Sequence, residues 1–205
     1  MPIERATRSM AAARIAAAAR RLLDASTLCA IATVSPGGRA HVNTAYFAWS
    51  RDFDLVWLSE PHAAHSRNLR AHPTVAVAVY DSHQTWGKAD RGIQLFGSAR
   101  ELVDEAAADA ERIYAKRFPD YGREDLSAYR FYRFRPRRVK LFDESAFGRG
   151  VFVTARIAGG GKPTWERTEI YQASERLTSA RRRAEGPRRR RSRRRRSDPR
   201  APGRG

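Results

Sequence analysis

The stretch "LCAIATVSPGGRAHVNTAYFAWSRDFDLVWLS", Leu28–Ser59, decides the fold. Its first seven residues are apolar, small or β-branched, and they read as a buried strand. "SPGGR", 35–39, is a turn in which Pro36 fixes one dihedral and Gly37-Gly38 adopt conformations that other residues avoid. "AHVNTAYFAWS" alternates along its length, and "RDFD" then turns the chain into "LVWLS". Three strands on hairpin-length links predict an antiparallel meander.

The flanks extend this reading. Residues 7–25 are Ala-rich with Met10, Ile15, Leu22 and Leu23, which predicts a helix. A signal peptide would need a continuous apolar run, and Arg14, Arg20 and Arg21 interrupt this one. An Arg-rich transit peptide has similar composition, but a helix running straight into the first strand is preferred. Downstream, a short helix is expected from about Pro61 to Ala71, with Pro61 in its first turn and Pro73 ending it. "TVAVAVYD" and "IQLFGSARELV" read as strands around the polar loop "SHQTWGKADRG". Residues 104–118 read as a helix, opened by Asp104 and Glu105 and closed by Lys116 and Arg117 as the helix dipole favours. "YRFYRFRPRRVKLFD" adds one or two strands. At least six strands in under 150 residues, with few helices, give an α+β class. The expected architecture is a mostly antiparallel sheet closing into a small barrel. After Ala158 the apolar pattern decays. The expected division is an N-terminal helix at 1–26, a barrel domain at 27–158, and a low-complexity Arg-rich tail at 159–205, largely disordered.

Charge follows that division. Of the net +18, +12 lies in the last 30 residues, where 14 arginines face only Glu185 and Asp198. The barrel is only mildly basic, so nucleic acid is a candidate partner for the tail alone, and a merely solvated tail is the plainer reading. The single cysteine, Cys29, excludes an internal disulfide and four-cysteine zinc sites; it reads as a small core residue in a cytoplasmic protein. No run approaches the ~18 apolar residues of a membrane span.

"LSEPHAAHSRNLRAHP", 58–73, carries three histidines and two arginines. Three readings compete. A strand running into a helix N-terminus suits a phosphate, with Ser59 adding a hydroxyl and His65 or Arg67 a cation. A solvated basic helix needs no ligand. The pair His62 and His65 hints at a metal, but no acidic residue at helical spacing completes a ligand set, so none is assigned. Trp86 reads as a lid over a ligand or as a loop anchor. Tyr46, Phe47, Trp49, Phe53 and Trp57 read mainly as packing. "GxSxG", a P-loop and "GxGxxG" are all absent.

The order "IATVSPGGRAHVNTAYFAWS…LVWLSEPHAAHSRNLRAHPTVAVAVYD…RGIQLFGSAREL…YRFRPRRVKLFD" resembles the pyridoxamine 5'-phosphate oxidase-like, FMN-binding split β-barrel proteins over roughly residues 20–150. The resemblance implies a split barrel, a homodimer, and FMN or a deazaflavin coenzyme at the subunit interface. It implies that Asn43, Thr44, Ala45 and Tyr46 lie along the flavin. It puts Leu58, Ser59 and His65 near the phosphate, where the helix itself also offers Arg67; Gly92 and Gln94 share a strand face, with Gln94 reaching the isoalloxazine edge and Arg91 nearby. The oxidases carry an arginine where Asn43 falls and a lysine where Ala48 falls, and this chain has neither. Their Ser-Arg-Lys run falls on Ala63, Ala64 and His65. The implied function is a flavin-dependent oxidoreductase moving a hydride or electrons between a small-molecule substrate and the flavin. A deazaflavin-dependent reductase, or a non-catalytic flavin- or haem-binding module, stands as the alternative. No catalytic residue is identified, and the substrate is left open.

Overall fold

The computed structural model describes residues 3–6, 8–123 and 125–171. Helix α1 (Ala12–Asp24) forms because Ala-rich sequence favours helix and its larger apolar side chains recur every three or four residues. That spacing puts Ile15, Ala18, Ala19, Leu22 and Leu23 on one buried face.

Strands β2 (Leu28–Val34) and β3 (Ala40–Tyr46) form the expected hairpin, in register from Leu28 opposite Tyr46 to Val34 opposite Ala40. The meander then breaks. Phe47 is fully buried, and its amide donates to the Thr27 carbonyl at 3.1 Å, which turns the chain away. The short β4 (Ala48–Trp49) pairs with β5 (Leu55–Ser59), and β5 joins β8 (Arg130–Asp143) rather than β3. Sequence alternation identified the strands but not which of them are neighbours.

The rest follows in order: α2 (Ala64–Ala71), β6 (Thr74–Tyr80), β7 (Arg91–Glu101), α3 (Asp104–Arg117), a 3-10 turn at Tyr121–Arg123, α4 (Glu144–Phe147), β9 (Val151–Ala158) and β10 (Lys162–Tyr171). An additional strand, β1 (Ile3–Ala6), pairs with β10. Every ladder is antiparallel, in the order β1-β10-β9-β8-β7-β6-β2-β3, with β5 and β4 branching from β8. The class is α+β, a mostly antiparallel split barrel with flanking helices.

The 14-residue β8 makes the branch possible. Residues 132–134 lie between β5 and β7, while 138–142 lie between β7 and β9. A register slip at Phe96/Gly97, opposite Pro136, bends the pair where the neighbours change. Gly97 is packed so tightly there that a Cβ would lie 2.0 Å from the Arg135 carbonyl oxygen. Gly97→Ala is therefore expected to cost about 1–3 kcal/mol or more. Urea denaturation of the variant should show a lower midpoint at unchanged slope; an unchanged midpoint would mean that the bulge is soft.

Two expectations need correction. The helix expected from residue 7 begins at Ala12, and a strand precedes it. Regular structure does not end near Ala158, because residues 162–171 form β10. Gly160 and Gly161, both at positive φ, close the β9–β10 turn. A bulge between Trp165 and Arg167 then breaks the two-residue period, so the alternation is hidden in the sequence. The strand's charges are paired across the sheet. Glu166 meets Arg138 at 2.9 Å and Arg156 at 3.3 Å, and Glu169 meets Lys140 at 2.9 Å. The Arg-rich stretch beyond Tyr171 lies outside the described residues.

Candidate functional site

Among the described residues β3 pairs only with β2, and β5 pairs with β4 and β8, so no ladder there joins β3 to β5. The barrel is split there, and one edge of β3 keeps main-chain groups without a strand partner. A cleft of about 660 Å³ opens along that edge. It gathers Asn43, Thr44, Ala45 and Tyr46 from β3, Leu58 and Ser59 from β5, and His65 from α2. All seven are expected from sequence.

One end of the cleft is polar and buried. Ser59 Oγ lies 2.6 Å from His65 Nε2, and the His65 ring stacks on His41 with centroids 6.4 Å apart. Burial, with a smaller contribution from the charge of His41, holds the His65 pKa below its ordinary 6.5. Burial thus works against the cationic role expected of His65. Next to it, Asn68 Nδ2 donates to Thr33 Oγ1 at 3.0 Å and fixes α2 on β2.

The helix starts at Ala64, not Pro61. Glu60–Ala63 form a turn, closed by the Ala63 amide donating to the Glu60 carbonyl. Side chains of α2 hold that turn from above. Ser66 Oγ donates to the Glu60 carbonyl at 2.8 Å, Arg70 to the Pro61 carbonyl at 2.8 Å, and Arg67 to the His62 carbonyl. Arg67 thus ties down the loop and does not line the cleft. His62 sits outside the helix.

Arg91, Gly92 and Gln94 are not part of this cleft either. Arg91 pairs with Asp81 at 3.3 Å. Gly92 lies beneath Phe142, whose Cζ would be 2.4 Å from an added Cβ. Gln94 projects from the outer sheet face, in a shallow apolar hollow with Ala30, Ala32, Val42, Ala76 and Phe96. Trp86 is 95 % exposed, so within one protomer it anchors nothing. Cys29 is buried, its thiol pushed up to about 12 by burial.

The opposite wall of the cleft was not anticipated. It comes from α3, the turn after it and the residue just before β8: Tyr114, Arg117, Phe118, Tyr121 and Tyr129. Phe118 packs edge-on against Tyr46 at 5.8 Å and against Tyr114 at 4.8 Å. Burial pushes the Tyr114 phenol up to about 12, so it stays neutral. Tyr114, Phe118 and Tyr121 follow one another at intervals of four and three. That aromatic spacing was the available signal, hidden by reading the helix end only for its charge. Among the described residues lining the cleft, Arg117 is the one arginine or lysine.

Three comparisons place this architecture. A family model described as pyridoxamine 5'-phosphate oxidase matches residues 15–143. No curated protein gives a significant match. Among solved structures, a Mesorhizobium loti FAD-binding protein is 20 % identical at a TM-score of 0.50, covering 68 % of this chain and 98 % of its own. A haem-binding protein from Mycobacterium smegmatis is 14 % identical at a TM-score of 0.54, covering 85 % and 96 %. A Clostridium acetobutylicum protein of the pyridoxinephosphate oxidase family is 13 % identical at a TM-score of 0.51, covering 70 % and 95 %. At these identities the likeness is one of fold.

Proposed function

Because the chain belongs to the pyridoxamine 5'-phosphate oxidase family, we propose that it binds FMN in the cleft between β3 and β5. In this reading it moves a hydride or electrons between the flavin and a small-molecule substrate. The observation that carries the reading is the meeting of Asn43–Tyr46, Leu58, Ser59 and His65 in one cleft beside an unpaired strand edge. The residues fit such a group. The cleft volume falls within the range of small-molecule sites. One wall is aromatic, one end offers a hydroxyl and an imidazole, and the Arg117 guanidinium carries a buried Nη1 with no hydrogen-bond partner. The flavin, when bound, supplies the two-electron chemistry; the protein supplies position and electrostatics.

The site is completed, in this reading, by a second copy. The outer face of β3-β2-β6-β7 presents Val42, Phe96, Tyr46 and Tyr80, exposed by 40–65 %, around a floor of Ala30, Ala32, Ala76 and Ala78. A patch of that kind on a lone protomer marks an interface, and the small side chains let another sheet approach closely. A two-fold axis through it would bring Gln94 and Arg91 of one protomer to the cleft of the other.

The visible spectrum of the purified protein is the first test. A flavin spectrum supports the reading; a deazaflavin spectrum changes the coenzyme, and a Soret band replaces flavin by haem. Affinities for FMN and riboflavin then locate the phosphate. Ser59→Ala should weaken FMN roughly ten- to hundredfold and riboflavin far less, since only FMN offers a charged acceptor to the lost hydroxyl. Because burial holds the His65 pKa down, the preference for FMN should change little as pH rises above 7. A preference that fades there would mean that His65 is charged in the complex.

The same shift gives a stability signature. The folded pKa of His65 lies below its unfolded value near 6.5, so the unfolded chain takes up the proton first. Stability from this group is complete above about 6.5 and is lost as pH falls from there toward the lower folded value. His65→Gln should flatten that part of the melting-temperature profile; an unaltered profile would place the acid sensitivity elsewhere.

A further inference from the structure

Resting on the flavin reading, we infer that Arg117 grips the ring end of the bound flavin. Its Nη1 donates to the electron-rich edge of the ring and favours the reduced, more negative form. Nη2 of Arg117 is committed, donating to the carbonyls of Leu23 at 3.0 Å and Ser26 at 2.7 Å. Nη1, at the other tip of the fork, is buried and has no partner. Arginine cannot shed its charge, so its orphaned N–H groups are costly unless something accepts from them. Burial lowers its pKa, but a guanidinium so braced stays charged.

Position along β3 says which part of an elongated ligand lies there. The His41–His65–Ser59 group stands at the start of the strand. Arg117 stands past its end, with Cζ 4.7 Å above the Phe47 ring. Six residues of extended chain separate the two points by roughly 20 Å. A ligand whose phosphate meets Ser59 therefore turns its other end, the flat ring, toward Arg117. The aromatic wall of Phe118 and Tyr46 stands beside that end. The guanidinium is also well held, being braced by two carbonyls and lying over Phe47 and Phe118.

The test uses the full chain reconstituted with FMN and with riboflavin. Arg117→Gln should weaken both ligands alike, by roughly tenfold or more, because both carry the ring. It should weaken the reduced form further. Each extra tenfold lowers the two-electron midpoint potential by about 30 mV. Arg117→Lys keeps the charge and should keep most of the potential. A Gln variant that binds flavin at wild-type affinity and potential would overturn the inference while leaving the flavin reading intact. Selective loss of FMN would overturn it too, since it would put Arg117 at the phosphate. If the Gln variant fails to fold, the wild-type potential decides: above that of free FMN is expected, and below it overturns the assignment. A wild-type protein that binds no flavin would end the cofactor reading itself.

Discussion

A chain ending at Ala158 is expected not to fold, whereas one ending at Gln172 should melt close to the full-length protein. The composition after Ala158, rich in Gly and Arg, argues for a dispensable tail. The structure argues otherwise for its first part. β10 covers one edge of β9 and is itself the only strand partner of β1 among the described residues. Removing it would uncover Ile157 and take away Trp165, whose indole N–H donates to Thr168 Oγ1 at 3.1 Å. Thr168 Oγ1 in turn donates to the Arg8 carbonyl at 3.0 Å. The cut would also leave Lys140 without Glu169 and strip both arginines from Glu166 of their partner. A loss of several kcal/mol is a large share of the 5–15 kcal/mol that holds a domain together. Circular dichroism melting of the two truncations checks this. Equal melting temperatures would show β10 to be an ornament.

The second large effect is on assembly. Val42→Asp and Phe96→Glu place charge on the apolar outer face at positions exposed in one protomer, so neither should unsettle the protomer itself by more than about 0.5 kcal/mol. In a dimer built on that face each would bury an unpaired charge, at a cost of several kcal/mol per copy. Sedimentation should show wild type as a dimer and both variants as monomers at micromolar concentration. FMN affinity should fall in parallel, since the cleft would lose the partner's Gln94 and Arg91. A wild-type monomer binding one flavin per chain would refute the shared site, and dimeric variants would move the interface to another face.

The strands and the cleft's β3–β5 side were legible because each depends on local signals. Alternation places β2, β3 and β6, and "SPGGR" sets the first hairpin. The path from β5 into a helix was also legible, although the start of that helix was displaced by three residues through side-chain bonds to Glu60, Pro61 and His62. Strand neighbours were not legible, because β5 finds its partner more than seventy residues later in β8. On the far wall the aromatic spacing was legible, but the place of Arg117 was not. Nothing local in "AKRFPDYGR" says that Arg117 folds back under Leu23 and Ser26. The burial that lowers the His65 pKa was not legible, because it is set by the fold and not by residue type.

The pairing of β1 with β10 sets Ile3 opposite Tyr171, nearly the whole described chain apart in sequence. Closing a loop that long is slow and entropically unfavourable, and only four residue pairs are formed in return. This ladder should be among the last to form and the first to open, so its amides should exchange with solvent well before those of β7 and β8. The barrel can therefore breathe at this seam while β5, at the cleft, keeps its own ladder to residues 130–134 of β8.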